Sequence, residues 1–198
     1  MKRTDTLKEF LRHSVALIGA GYTNILITKI PEHKEYVKET IYFKITRSYN
    51  TNTTRSQRYY AKKKGYANFQ AVTFRNFILI LHTKGKIAED THKGNGFIDF
   101  EKKNRITIPL TKYLIVDIFR DERKKLTVKL NTETYRNFKN EFDLAYKTRS
   151  GFSFHNIIKK LSNLPPYRGI QLQKIEMVKY LRQRHKDYGV KWTIPTRL

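Results

Sequence analysis

Residues 67–83 read ANFQAVTFRNFILILHT, and their reading decides the fold. Two strand-like runs, 67–74 and 77–83, flank Arg75-Asn76, a connection short enough for a tight hairpin. The second run contains FILIL, 77–81, which is apolar at every position. A strand with one face in water alternates apolar with polar. An unbroken apolar run therefore predicts a central strand covered on both faces. Upstream, YTNILITKI (22–30) reads as a strand stopped by Pro31. Before it, Leu7, Phe10, Leu11, Val15 and Ile18 fall on one side of a helix over 6–18, with Thr6 and Glu9 spaced as a capping box. Residues 32–45 are read as a short helix to Glu39 and then a strand, because ETIYFKI alternates. SYNTNTTRS (48–56) reads as an exposed loop, and Arg55 to Lys64 as a short basic helix stopped at Gly65.

Downstream, FIDFE (97–101) and RITIP (105–109) are expected to form a hairpin about Lys102–Asn104. YLIVDIF (113–119) and LTVKL (126–130) flank the charged turn DERKK. In the second run Leu126, Val128 and Leu130 alternate with Thr127 and Lys129, which predicts a second hairpin. Asn131 then caps a helix to about Tyr146, with Tyr135, Phe138, Phe142 and Ala145 at helical spacing. A helix over 153–163 follows, then a break at Pro165, Pro166 and Gly169. The last helix spans 170–188, with Leu172, Ile175, Val178 and Leu181 on one side. The expected fold is α+β: a central, mostly antiparallel sheet with an N-terminal helix and two or three C-terminal helices. The expected domains are a nucleic-acid-binding core over 1–148 and a basic helical region over 149–198, packed on or extending that core.

Charge points to the partner. The chain has 41 Lys+Arg against 17 Asp+Glu, a formal net charge of +24 over 198 residues. A folded domain this basic repels itself, and a polyanion is the simplest compensation. Thr40 to Ala88 contains no Asp or Glu but ten Lys and Arg, interleaved with nine Tyr and Phe. Phosphates suit the cations, and unstacked bases suit the rings. Absence of Cys excludes disulfides and thiol chemistry, and no apolar run is long enough to cross a bilayer. A soluble cytoplasmic protein is expected.

The segment RSQRYYAKKKGY, Arg55 to Tyr66, is the main candidate site. If it is helical, Arg55, Arg58 and Lys62 share a face that can straddle phosphates. The expected nucleic-acid contacts are Arg47, Arg55, Arg58, Lys62, Lys63, Lys64 and Arg75, with Tyr59, Tyr60 and Tyr66 as stacking rings. Lys179, Arg182, Arg184 and Lys186 on the last helix extend the footprint. The competing expectation is that the tyrosines anchor a solvated helix to the core. Single-stranded or structured DNA or RNA, from a mobile element or replication system, is the expected partner.

Two resemblances bear on this. Lys64-Gly65-Tyr66-Ala67 is similar to the first half of the RNP1 motif of RNA-recognition-motif domains, and Ile25-Leu26-Ile27 loosely resembles RNP2. Asn68, Ala71 and Leu26 stand where those motifs carry aromatics, so no residue role is carried over. Asp90, Glu101 and Lys103 give D-x10-E-x-K, which is similar to the PD-(D/E)xK nucleases. That resemblance implies a metal-dependent nuclease or nickase of a mobile element, with two carboxylates on a divalent ion. The bland alternative makes Glu101 a surface charge of a hairpin. A structural ribonucleoprotein subunit and a binder of anionic membrane surfaces are the remaining classes, the latter resting on 170–188. None of the six His is spaced as HxH or HxxxH, and no phosphate-binding Gly loop or Ser nucleophile motif is present, so neither metal nor cofactor is expected.

Overall fold

A computed structural model of the chain describes residues 1–89, 91, 96–195 and 198. They form two compact units, Met1–Ile106 and Thr107–Leu198. In the first, a mixed sheet runs in the order β1-β3-β4-β2-β5. β1 (Lys2–Thr4) lies parallel to β3 (Phe69–Phe74). β3 pairs antiparallel with β4 (Phe77–His82), β4 with β2 (Asn24–Lys29), and β2 with β5 (Ile98–Asp99). The hairpin at Arg75-Asn76 forms as expected: Phe74 faces Phe77, and Arg75 takes the left-handed conformation at φ 53°.

All of β4 is buried, and the reason is visible on each face. Ile78 and Ile80 project to one side with Phe69 and Ala71, under Tyr42 of α2 (Lys38–Ser48) and Tyr49 just beyond it. On the other side α1 (Leu7–Gly19) packs on β3 and β4, with Phe10 5.8 Å from the Phe74 ring. Thr6 caps α1 by accepting from the Glu9 N–H at 3.2 Å.

Two expectations fail here. Residues 40–45 are helix, not strand. Ile41, Ile45 and Tyr42, Tyr49 meet the sheet at spacings of four and seven, so tertiary packing selects the helical period over the alternation in ETIYFKI. FIDFE and RITIP do not pair with each other either. Ile98–Asp99 adds to β2, Phe100–Lys103 is a single turn (α4) capped by Asp99, and β6 (Arg105–Pro109) joins another sheet. Asp99 accepts from the Glu101 and Lys102 N–H groups, which turns the chain into α4 where a strand was expected to continue.

That second sheet has the order β6-β7-β8, with β7 (Ile115–Arg120) and β8 (Leu126–Leu130) paired as expected from Val116↔Leu130 to Arg120↔Leu126. Asp121 organises the charged turn, accepting from the N–H groups of Arg123 at 3.0 Å and Lys125 at 2.9 Å. Asn131 caps α5 (Thr132–Lys147), and α6 (Gly151–Ser162) and α7 (Arg168–Tyr188) follow. α6 and α7 pack on α5, and α7 also lies on β8.

Three contacts seat α7. The Arg168 guanidinium spans Asp121 at 2.8 Å and Glu122 at 2.6 Å. The Gln173 amide pairs with both backbone groups of Leu130, at 2.7 and 2.9 Å. Gly169, expected to break the chain, is instead the point of closest approach: a Cβ there would meet the Val128 carbonyl oxygen at 2.5 Å. The phase of α7 also differs from expectation. Ile170, Lys174, Met177, Val178 and Leu181 face inward, while Leu172 and Ile175 are exposed. Lys174 is buried because its ammonium caps the end of α6, donating to Ser162 O and Leu164 O at 3.3 Å; burial pushes its pKa down. Gly169→Ala is expected to lower stability by about 1–3 kcal/mol, the usual cost of forcing a methyl into a closed contact. A chemical-denaturation midpoint equal to wild type would show that α7 can shift without cost.

Candidate nucleic-acid interface

α3 (Arg55–Lys63) has no buried side chain. A nine-residue helix without an apolar face is marginal in water, so its ends must hold it. At the start, Thr54 and Gln57 form a reciprocal capping box: Thr54 Oγ1 accepts from Gln57 N at 3.2 Å, and Gln57 Oε1 accepts from Thr54 N at 2.7 Å. At the end, Gly65 is left-handed at φ 78°. Tyr66 N donates to Ala61 O at 2.9 Å and Gly65 N to Lys62 O at 3.0 Å, closing a Schellman motif. Asn68 ties the middle down by donating its amide to Arg58 O at 3.0 Å.

The segment leaving α3 is clasped to the segment leaving β4. Lys86 N donates to Gly65 O and Ala67 N to Lys86 O, both at 2.9 Å, which makes a parallel bridge between Tyr66 and Lys86. Gly85 makes the clasp possible. It sits at φ 144°, and a Cβ there would lie 2.7–2.8 Å from Ala67 N, Gly65 O and Tyr66 C. The clasp joins KKKGY to KGK, so Lys62, Lys63 and Lys64 share one end of the sheet with Lys84 and Lys86, all five exposed. Sequence reasoning missed Lys84 and Lys86 as site residues. The signal available was a Gly between two lysines after a buried strand.

The outward stripe of α3 differs from the expected one. Arg58 turns inward and donates to the Thr53 carbonyl, so Arg55, Arg58 and Lys62 do not form an open face. Arg55, Tyr59, Lys62 and Lys63 do. Tyr59 and Tyr60 are 64% and 60% exposed, with their rings edge-to-face at 5.5 Å, so they do not anchor α3 to a core. Tyr66 is half-buried. Most of the aromatics interleaved with the cations belong to the core instead: Tyr42, Tyr49, Phe69, Phe74 and Phe77 are all buried. His82 is also a core residue. Its ring stacks on Phe69 at 4.7 Å, Nδ1 lies 2.8 Å from Thr83 O, and burial lowers its pKa.

Arg75 is exposed at the β3–β4 turn, its guanidinium 5.3 Å from the Phe74 ring. Arg47 is exposed in the last turn of α2, one turn beyond Phe43, which is 66% exposed and is one of the interleaved aromatics but was not among the expected stacking rings. The α7 cations belong to the second unit. Lys179, Arg182 and Lys186 are exposed. Arg184 is engaged within the fold, with Tyr180 Oη at 3.1 Å, Asp143 at 3.0 Å and Asp187 at 3.5 Å. The hydrogen bond to Tyr180 is the main cause that raises the Arg184 pKa.

For the nuclease set, Asp90 lies outside the described residues. Glu101 and Lys103 are exposed on α4. Among the described residues no three His, Asp or Glu converge as a metal site, and no helix is long and apolar enough to cross a membrane. Compared with known proteins, the chain matches no family model, no curated protein and no solved structure.

Proposed function

We propose that this protein binds nucleic acid in single-stranded or locally unpaired form through the clasp and the outward stripe of α3. One observation carries the reading: five exposed lysines and two exposed tyrosines are gathered at one end of a sheet, on a helix that buries no side chain and the clasp beside it. The absence of any carboxylate from Thr40 to Ala88 leaves the field there uncompensated by that stretch. Cations on neighbouring loops track a phosphate backbone, and exposed rings give bases a surface to stack on.

The test is a binding panel of single-stranded and duplex DNA and RNA, measured across salt concentrations. Single strands are expected to bind more tightly than duplexes, and log K is expected to fall linearly with log salt. Replacing Tyr59 and Tyr60 together with Ala should weaken single-strand binding by roughly 1–3 kcal/mol for each base that loses its stack, at an unchanged salt slope. Both rings are mostly exposed, so thermal stability should stay near wild type. A double variant that binds single strands as tightly as wild type would remove stacking from the mechanism. Absence of saturable binding to any member of the panel would remove the function.

A further inference from the structure

We propose a second site, within Thr107–Leu198: a pocket for one unstacked nucleotide. It lies between the β6–β7 loop and the helices α5 and α6, with a volume of about 460 Å³, inside the range of pockets that hold small ligands. Phe138 and Leu164 form an apolar floor, 9% and 8% exposed. Tyr113 stands on the rim and is 70% exposed. Asn137 also lines the pocket, and among the described residues its carboxamide has no hydrogen-bond partner. The remaining polar wall is Thr134, whose hydroxyl accepts from Ile115 N at 2.9 Å, and the ion pair Lys160–Glu141 at 3.0 Å.

Each feature has a counterpart in a nucleotide. The backbone under Tyr113 is fixed, since Thr111 Oγ1 accepts from Tyr113 N at 3.2 Å and from Leu114 N at 2.9 Å. The ring lines the cavity and is largely in water, and leaving that much apolar surface wet is unfavourable until a flat partner covers it. A nucleobase lying between Tyr113 and the Phe138 floor covers both. The Asn137 carboxamide offers a donor and an acceptor side by side, the pattern of a base edge. Lys112 sits 5.6 Å from the Tyr113 ring, and Lys160 is 60% exposed at its side chain. An exposed ion pair contributes little, so Lys160 can exchange Glu141 for a phosphate at small cost. The ligand chemistry is a nucleoside phosphate, either free or as an unpaired residue of a strand. The site uses none of the residues of α3 or the clasp and does not rest on the function proposed for them.

The experiment titrates the full chain with adenosine and cytidine 5′-monophosphates, with ribose 5-phosphate, and with a short single-stranded oligonucleotide. Calorimetry and the NMR signals of the Asn137 side-chain amide are the readouts. Base-bearing probes are expected to saturate the site, with ribose 5-phosphate at least about tenfold weaker because it cannot stack. Tyr113→Ala should weaken their binding about tenfold or more without lowering the melting temperature, and Asn137→Ala should weaken it by a smaller factor. If Tyr113→Ala affects only the oligonucleotide, the ligand is a residue of a strand; if it affects only the monophosphates, the ligand is a free nucleotide. The proposal is overturned if no base-bearing probe saturates, if ribose 5-phosphate binds equally well, or if Tyr113→Ala binds every probe like wild type.

Discussion

Replacing Lys62, Lys63, Lys64, Lys84 and Lys86 together with Ala is expected to weaken single-strand binding about a thousandfold near physiological salt. Each neutralised phosphate of a single strand adds about 0.7 to the slope of log K against log salt, so five lost contacts remove about 3.5. At roughly 0.15 M salt that slope change amounts to about three decades in K. The loss should be nearly the same for every sequence, because phosphate contacts carry no base information. Fold stability should hold, since all five side chains are exposed and among the described residues none is ion-paired. The measurement is a salt titration of wild type and variant beside a thermal melt. A variant that keeps the wild-type slope would show that the phosphates lie elsewhere, with the exposed cations of α7 the next place to look.

The size of that effect depends on Lys84 and Lys86 joining the other three, and this was the part of the site that sequence did not make legible. The runs KKKGY and KGK are about twenty residues apart in the chain. Nothing in local periodicity links them. Their meeting follows from the β3–β4 hairpin, which brings the residues before Phe69 beside those after His82. The hairpin itself was legible, because two short apolar runs around Arg75-Asn76 leave room for little except a tight turn between strands. So was the β7–β8 pair, where LTVKL alternates over its full length. Elements whose partners are distant in sequence were not. ETIYFKI satisfies both periods over seven residues, and only the sheet face beneath Tyr42 and Tyr49 decides between them. FIDFE and RITIP look like a hairpin, but Asp99 caps a helical turn between them. Counting aromatics among cations had the same weakness. It cannot separate Phe69 or Phe74, which fill the core, from Tyr59 and Tyr60, which do not.

Arg58 and Arg184 mark a further limit of sequence. Both were counted as cations for a ligand, and both spend their guanidinium groups inside the fold. Arginine supplies several donors in a rigid fork, so it is readily used to tie carbonyls and carboxylates together. Among the described residues, the lysines of the clasp have no such intramolecular task. This makes lysine the main cation of the proposed site, with Arg55 beside it on the outward stripe of α3. It also predicts backbone tracking by point charges rather than bidentate reading of bases.

Whether geometry matters beyond charge is decided by Gly85→Ala, which changes no charge at all. The added methyl would fall within 2.8 Å of three backbone atoms of residues 65–67, at a φ of 144° that side-chain-bearing residues rarely adopt. Backbone strain of this kind costs about 1–3 kcal/mol, and a forced contact against backbone costs a similar amount. A total of about 2–6 kcal/mol exceeds what the two clasp hydrogen bonds contribute, at roughly 0.5–1.5 kcal/mol each. The clasp is therefore expected to open rather than strain the sheet. Lys84 and Lys86 then separate from Lys62–Lys64, and α3 loses the Schellman cap at Gly65 and Tyr66 that holds its end. Amide exchange should quicken across 61–67 and 84–87 while β3 and β4 stay protected, because β4 remains buried on both faces. Single-strand affinity should fall at least about tenfold with the net charge unchanged, since the two lysine runs are then no longer held together beside one strand. If exchange quickens as stated and affinity stays at the wild-type value, binding is a property of charge alone and the clasp is only a turn. If exchange does not quicken, the close approach at Gly85 is looser than its geometry indicates, and the clasp is not what positions these lysines.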